Sequence, residues 1–259
     1  MSFILLPILI GLLALPLVMG PLARSGKVTR VDLTGSGFLT ALCATIAISS
    51  LASPIFGIGF ILAVLIHEAG LALACRSIGH DLSRMRISTI SNTSGPESQK
   101  DFDHALEDCF AALYGPVLAV VPTLLALGLF HVLSPVSPVL SDHLGKLAIT
   151  LAAFNFLMLM PFRPLGGGRI AQAVSNAFGP QSAVFITLFM VAAFASAALR
   201  EQSIAMSILT AAALQSLFHS KRENQMALSQ DQTLIVMSCY AITLTVYFMA
   251  GFWCLTRLI

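Results

Sequence analysis

Eight stretches of this chain are apolar over about the length that a bilayer crossing needs, and no polar stretch between them is long enough to fold alone. A hydrocarbon core of about 30 Å takes roughly 20 apolar helical residues. The runs fall near 3–23, 37–53, 55–75, 109–131, 145–161, 181–199, 203–218 and 233–255. Lipid offers backbone N–H and C=O groups no hydrogen-bond partner, so each run is expected to be an α-helix that satisfies its own backbone. Ser53-Pro54 divides the second run from the third, and Arg200-Glu201 divides the sixth from the seventh. The first run has no basic residues ahead of it and exceeds a signal peptide's apolar core, so it is expected to be a retained span. Composition agrees: 57% of the 259 residues are hydrophobic and 10% charged, where a soluble domain carries roughly a quarter charged residues. The fold class expected is an all-α integral membrane protein, a polytopic helical bundle of about eight spans in direct contact with the lipid bilayer.

The charges between the runs orient the bundle. With the N-terminus outside, the cytoplasmic connections receive Arg24, Lys27, Arg30, Arg76, Arg84, Arg86, Lys100, Arg163, Arg169, Lys221 and Arg222, while Lys146, Arg200 and Arg257 stay outside. Eleven of the 14 basic residues then lie on one side, as cytoplasmic loops favour. The net charge of +2 is too small, and its basic residues too dispersed, to point to nucleic acid. Cys43, Cys75, Cys109, Cys239 and Cys254 sit in or beside apolar runs without C-x-x-C spacing, which reads as apolar filler rather than a disulfide or thiolate-metal framework.

There is no internal repeat or low-complexity tract. The one long polar stretch is 76–108. Within it, residues 84–93 are rich in β-branched residues and partly alternate, which predicts a short membrane-associated strand or β-hairpin ending near Ser94-Gly95-Pro96. Lys100 to Asp108 is acidic and is expected to open the fourth helix.

The third run contains Leu65-Ile66-His67-Glu68-Ala69-Gly70-Leu71. Glu68 lies seven residues before Cys75 at the end of its run, about 10 Å into the membrane at a helical rise of about 1.5 Å per residue. An ionisable residue at that depth is expensive, so it marks either a pair satisfied by neighbouring helices or a functional site.

Three motifs in order resemble the site-2 protease family of intramembrane zinc metalloproteases. His67-Glu68-Ala69-Gly70-Leu71 stands where that family has H-E-x-x-H. Tyr114-Gly115-Pro116 resembles its A-G-P element, and Pro164-Leu165-Gly166-Gly167-Gly168-Arg169 stands where it has L-D-G. The resemblance covers about 55–175, which divides the chain into N-terminal spans (1–54), a site-2-protease-like core (55–175) and C-terminal spans (176–259). It implies that the polar stretch after the first motif holds an extended substrate, with Arg86, Ile87, Ser88, Thr89 and Ile90 as substrate-binding residues. The partner implied is a transmembrane substrate or client helix, and the active-site side is cytoplasmic.

In the intact pattern two histidines one helical turn apart bind zinc and the glutamate between them is the general base. A carboxylate from another span is the third ligand, and the zinc-bound water occupies the open position. Here the second histidine position is Leu71 and the aspartate position is Gly166. Neither side chain has a lone pair, so His67 is the one ligand retained and Glu68 keeps the general-base position. The family's asparagine position is Met158, with Asn155 one turn earlier as the substitute. His80, His104, Asp81, Asp103, Glu107 and Asp108 lie on the same side without helical ligand spacing to His67, and His131, His143 and His219 read as interfacial. The expectation is a site-2-protease-like fold with zinc absent or weakly held, no proteolysis, and the capacity to hold a membrane helix. Such a chain is a natural pseudoprotease or an altered form of an active enzyme. Two other readings use the same residues: a small helical transporter or channel-like bundle lined by His67 and Glu68, and an active protease with unconventional ligands.

Overall fold

A computed structural model of the chain describes residues 31–32, 35–78, 85–86, 104–163, 165–179, 181–218 and 228–258. These residues are helical apart from one two-residue pairing. The helices are α1 (Gly35–Leu51), α2 (Pro54–Ser77), α3 (Ala105–Leu133), α4 (Pro138–Met158), α5 (Gly166–Phe178), α6 (Ser182–Glu201), α7 (Ile204–Phe218) and α8 (Gln230–Leu258). Four are long and apolar enough to cross a membrane: Pro54–Ser77, Ala105–Leu133, Val184–Glu201 and Gln230–Cys254. They mark the chain as a membrane protein. The expected run at 3–23 lies outside the described residues, and the apolar parts of α1 and α7, Ala41–Leu51 and Met206–Gln215, are shorter. Eight long spans are therefore not what the described residues contain.

Local chemistry sets the breaks. Ser53 is extended and Pro54 opens α2 at a position where its missing N–H costs nothing. α6 ends at Glu201 because Gln202 turns left-handed at φ 49°, its N–H capping the carbonyl of Ala198 before α7 returns. The region 162–180, between the fifth and sixth apolar runs, contains α5, a 13-residue helix. Its buried face is Gly167, Gly168, Ile170, Ala173, Val174 and Ser175, and its other face is polar, a pattern too short and too mixed to stand out among the apolar runs.

The strand expectation is corrected. Among the described residues Met85–Arg86 (β2) pairs in parallel with Val31–Asp32 (β1), in the register Val31 to Met85 and Asp32 to Arg86. A hairpin requires an antiparallel local partner, and this partner lies before α1. Residues 87–93 and the Ser94-Gly95-Pro96 turn lie outside the described residues.

The chain forms two compact units, one within Met1–Gln99, Tyr114–Leu157 and Ala241–Ile259, the other from Lys100–Leu113 and Met158–Tyr240. In the first, α1 and α2 pack so closely that Gly57 faces Thr45 and Ser49 with no room for a side chain. Gly59 lies against Thr150 of α4, and the Phe60 and Phe154 rings meet edge-on with centroids 5.7 Å apart. Tyr247 of α8 is buried and donates its hydroxyl to the Pro116 carbonyl of α3. Trp253 donates its indole N–H to His131 Nε2, an arrangement suited to a membrane–water boundary where an aromatic body sits in lipid and its polar edge finds a partner. In the second unit, Phe162 packs edge-on against Phe194, and Tyr240 donates to the Leu159 carbonyl at 2.5 Å.

Candidate functional site

In the first unit, His67, Glu68 and Leu71 lie on α2 and are half-buried. α2 and α3 cross where Gly70 meets Gly115: a Cβ added to Gly70 would stand 2.6 Å from the Gly115 Cα. Two facing glycines let membrane helices approach backbone to backbone. That approach sets the histidine. A Cβ on Gly115 would lie 2.8 Å from the His67 carbonyl oxygen and 3.0 Å from its Nδ1, so the imidazole rests on the bare face of Gly115. The Phe154 ring closes the other side edge-on, with centroids 5.7 Å apart. Nδ1 is buried in this slot.

Glu68 has no hydrogen-bond or ion-pair partner among the described residues. Asn155 follows Phe154 on α4 and is fully buried. Its Nδ2 donates to the Leu151 carbonyl at 2.9 Å, and its Oδ1 accepts no hydrogen bond within the described residues. A buried amide oxygen without a donor is costly, so this side chain is satisfied only in part by its own helix.

The second unit holds the later motif. Leu165 is the residue before α5 and Gly166 its first. The three consecutive glycines are not equivalent. A Cβ on Gly167 would collide with the backbone of Leu159, and one on Gly168 with the backbone at Phe162 and Arg163. At Gly166 the nearest atoms to such a Cβ are the carbonyl oxygens of Ala112 at 3.4 Å and Met158 at 3.5 Å, ordinary contact distances. Both carbonyls lack the helical N–H donor from four residues on. Pro116 has no N–H to bond Ala112 one turn back, and Met158 ends α4.

Beside this position Arg169 of α5 forms an ion pair with Asp108 of α3. Both side chains are largely buried, at 14% and 8% exposed. That pairing gives Asp108 a structural partner, where the sequence shows it only as one of the acids on the same side as His67. His104 is exposed, and Arg86 is described only as part of β2. Ile87, Ser88, Thr89 and Ile90 lie outside the described residues, as do His80, Asp81, Asp103, Pro164 and His219. Sequence reading missed the unequal glycines, the Gly70–Gly115 crossing and the Asp108–Arg169 pair. The first two had a signal in the glycines themselves, and the third had only two charges 61 residues apart.

Among the described residues the ligand positions of the resemblance hold one metal-binding side chain. His67 offers imidazole nitrogen, Leu71 and Gly166 offer nothing, and among the described residues no group of three His, Cys, Asp or Glu comes together to hold a metal ion. Such a zinc takes three protein ligands and keeps a fourth position for water. No family model matches the chain, and no curated protein and no solved structure matches it either.

Proposed function

We propose that this chain is a site-2-protease-like membrane protein that lacks a catalytic metal centre and works by holding a transmembrane client helix rather than cutting it. The observation that carries this reading is the contrast among the three glycines of α5. Gly167 and Gly168 leave no room for a Cβ and Gly166 does, so the backbone requires glycine at two positions and merely tolerates it at the third. The tolerated one is the aspartate position of the resemblance. Support also comes from His67, whose ring is held by Gly115 and Phe154 although no ligand partner is supplied at Leu71.

The finer architecture proposed with this reading is about eight crossings, with the N-terminus outside and the segments 24–36, 76–108, 162–180 and 219–232 cytoplasmic. The charge distribution between the apolar runs supports it.

The test is metal content with a cleavage assay. The unaltered chain purifies with far less than one zinc per protein and cleaves no membrane substrate. Leu71→His with Gly166→Asp recovers both, each single change recovers neither, and adding Glu68→Gln to the double variant abolishes cleavage while sparing zinc. About one zinc in the unaltered chain, or none in the double variant, defeats the reading. A second reading, a transporter or channel-like bundle, is favoured by Glu68 within α2, which has no partner among the described residues. Solute or ion flux into vesicles that is lost on Glu68→Gln would establish it instead.

A further inference from the structure

We infer that the space at Gly166 is an acceptor-lined socket that takes a hydrogen-bond donor but rejects a free carboxylate, so that the glycine there goes with the loss of the metal. The inference rests on the reading of Gly166 as the former acid position. Its geometry comes from the second unit alone. A side chain added at Gly166 points its first carbon at the carbonyl oxygens of Ala112 and Met158, 3.4 Å and 3.5 Å away. Neither oxygen takes the helical bond from four residues on, one because Pro116 has no N–H and the other because α4 has ended and the Phe162 N–H goes to the Met160 carbonyl. A hydroxyl or amide donates to such oxygens. A carboxylate only accepts, and sets negative charge beside two partial negative charges.

Among the described residues, the two basic side chains nearest to Gly166 in the chain have interactions of their own. Arg169, one turn further along α5, is paired with Asp108, and Arg163, three residues earlier, has an interaction of its own. The N-terminus of α5 favours an acid, but that benefit is small beside the cost of holding an unpaired charge against carbonyl oxygens in a protein interior. A bound cation reverses the balance, because it neutralises the carboxylate. Once the second histidine is gone and no metal binds, aspartate at 166 becomes a liability and glycine removes it.

The test compares Gly166→Asn with Gly166→Asp, two side chains of nearly the same size, in thermal unfolding of the full chain in detergent with chelator at neutral pH. Gly166→Asn is expected to melt at or above the unaltered chain and Gly166→Asp lower by about 5 °C. Zinc chloride raises the midpoint of Leu71→His with Gly166→Asp and leaves Gly166→Asp alone unmoved. Failure of Gly166→Asp to fold, with Gly166→Asn folding normally, supports the inference equally. The inference is overturned if the two variants melt within about 1 °C of each other, or if Gly166→Asn and Gly166→Ser are destabilised as much as Gly166→Asp. Because the chelator arm reads stability without metal, it stands or falls apart from whether the double variant regains zinc and cleavage.

Discussion

At the scale of single residues, the three glycines of α5 make a graded test of the structure. Replacing Gly167 or Gly168 by alanine drives a methyl group into backbone that belongs to the turn after α4, and overpacking of that kind costs about 1–3 kcal/mol or more. Gly166→Ala meets only ordinary contacts, and a glycine to alanine change in compatible backbone gains about 0.4–1 kcal/mol by narrowing the unfolded ensemble. Thermal unfolding of the three variants should therefore place Gly166→Ala at or above the unaltered chain and the other two well below it. Equal losses at all three positions would show that the socket does not exist. In the sequence these residues are one undifferentiated run. Which glycine is obligatory depends on what lies across from it, and the backbone of Leu159 and Phe162 is not visible in a motif. His67 and Glu68 were legible for the opposite reason: an ionisable pair in an apolar run stands out without any knowledge of its neighbours.

At the scale of elements, the long apolar helices were legible because length and hydropathy alone define a membrane-spanning helix. α5 was not, since 13 residues of mixed character carry no such mark, and neither was the parallel pairing of β1 with β2, whose partners are separated by α1 and α2. At the junction between α3 and α5 Asp108 pairs with Arg169. Asp108 and Arg169 are both largely buried, and breaking a buried pair by removing one partner costs about 3–5 kcal/mol. Asp108→Asn and Arg169→Met are each expected to destabilise strongly, while Asp108→Leu combined with Arg169→Met should cost much less than the sum of the two single losses. Chemical unfolding of the singles and the double in detergent measures this as a coupling free energy. Additive losses would mean that the two side chains do not depend on each other, and would return Asp108 to the pool of acids free for other work.

At the scale of the whole molecule, the small pairing of β1 with β2 constrains the path of the chain through the membrane. Hydrogen-bonded strands share one side. The chain leaves β1, passes through α1 and α2, and arrives at β2, so the number of crossings between them is even. α2, at 24 residues, is long enough to cross, and in the proposed topology α1 crosses as well. Its 17 residues reach about 26 Å at a rise of about 1.5 Å per residue, a little short of a hydrocarbon core of about 30 Å, a mismatch that local thinning of the bilayer absorbs at modest cost. In the proposed topology α3 then carries the chain from β2 to the opposite side; Trp253 bonds His131 in the last turn of that helix. In a cysteine-free background, single cysteines at Val31 and Met85 should therefore react with a membrane-impermeant thiol reagent from the same side, and one at Ser134 from the other. In the proposed orientation the side of β1 and β2, with its excess of basic residues, is the cytoplasmic one. Labelling of Val31→Cys and Ser134→Cys from one side, with Met85→Cys reached only from the other, would remove α1 as a crossing and break the strand pairing. Labelling of Val31→Cys and Met85→Cys from outside intact cells would keep the path and invert the orientation.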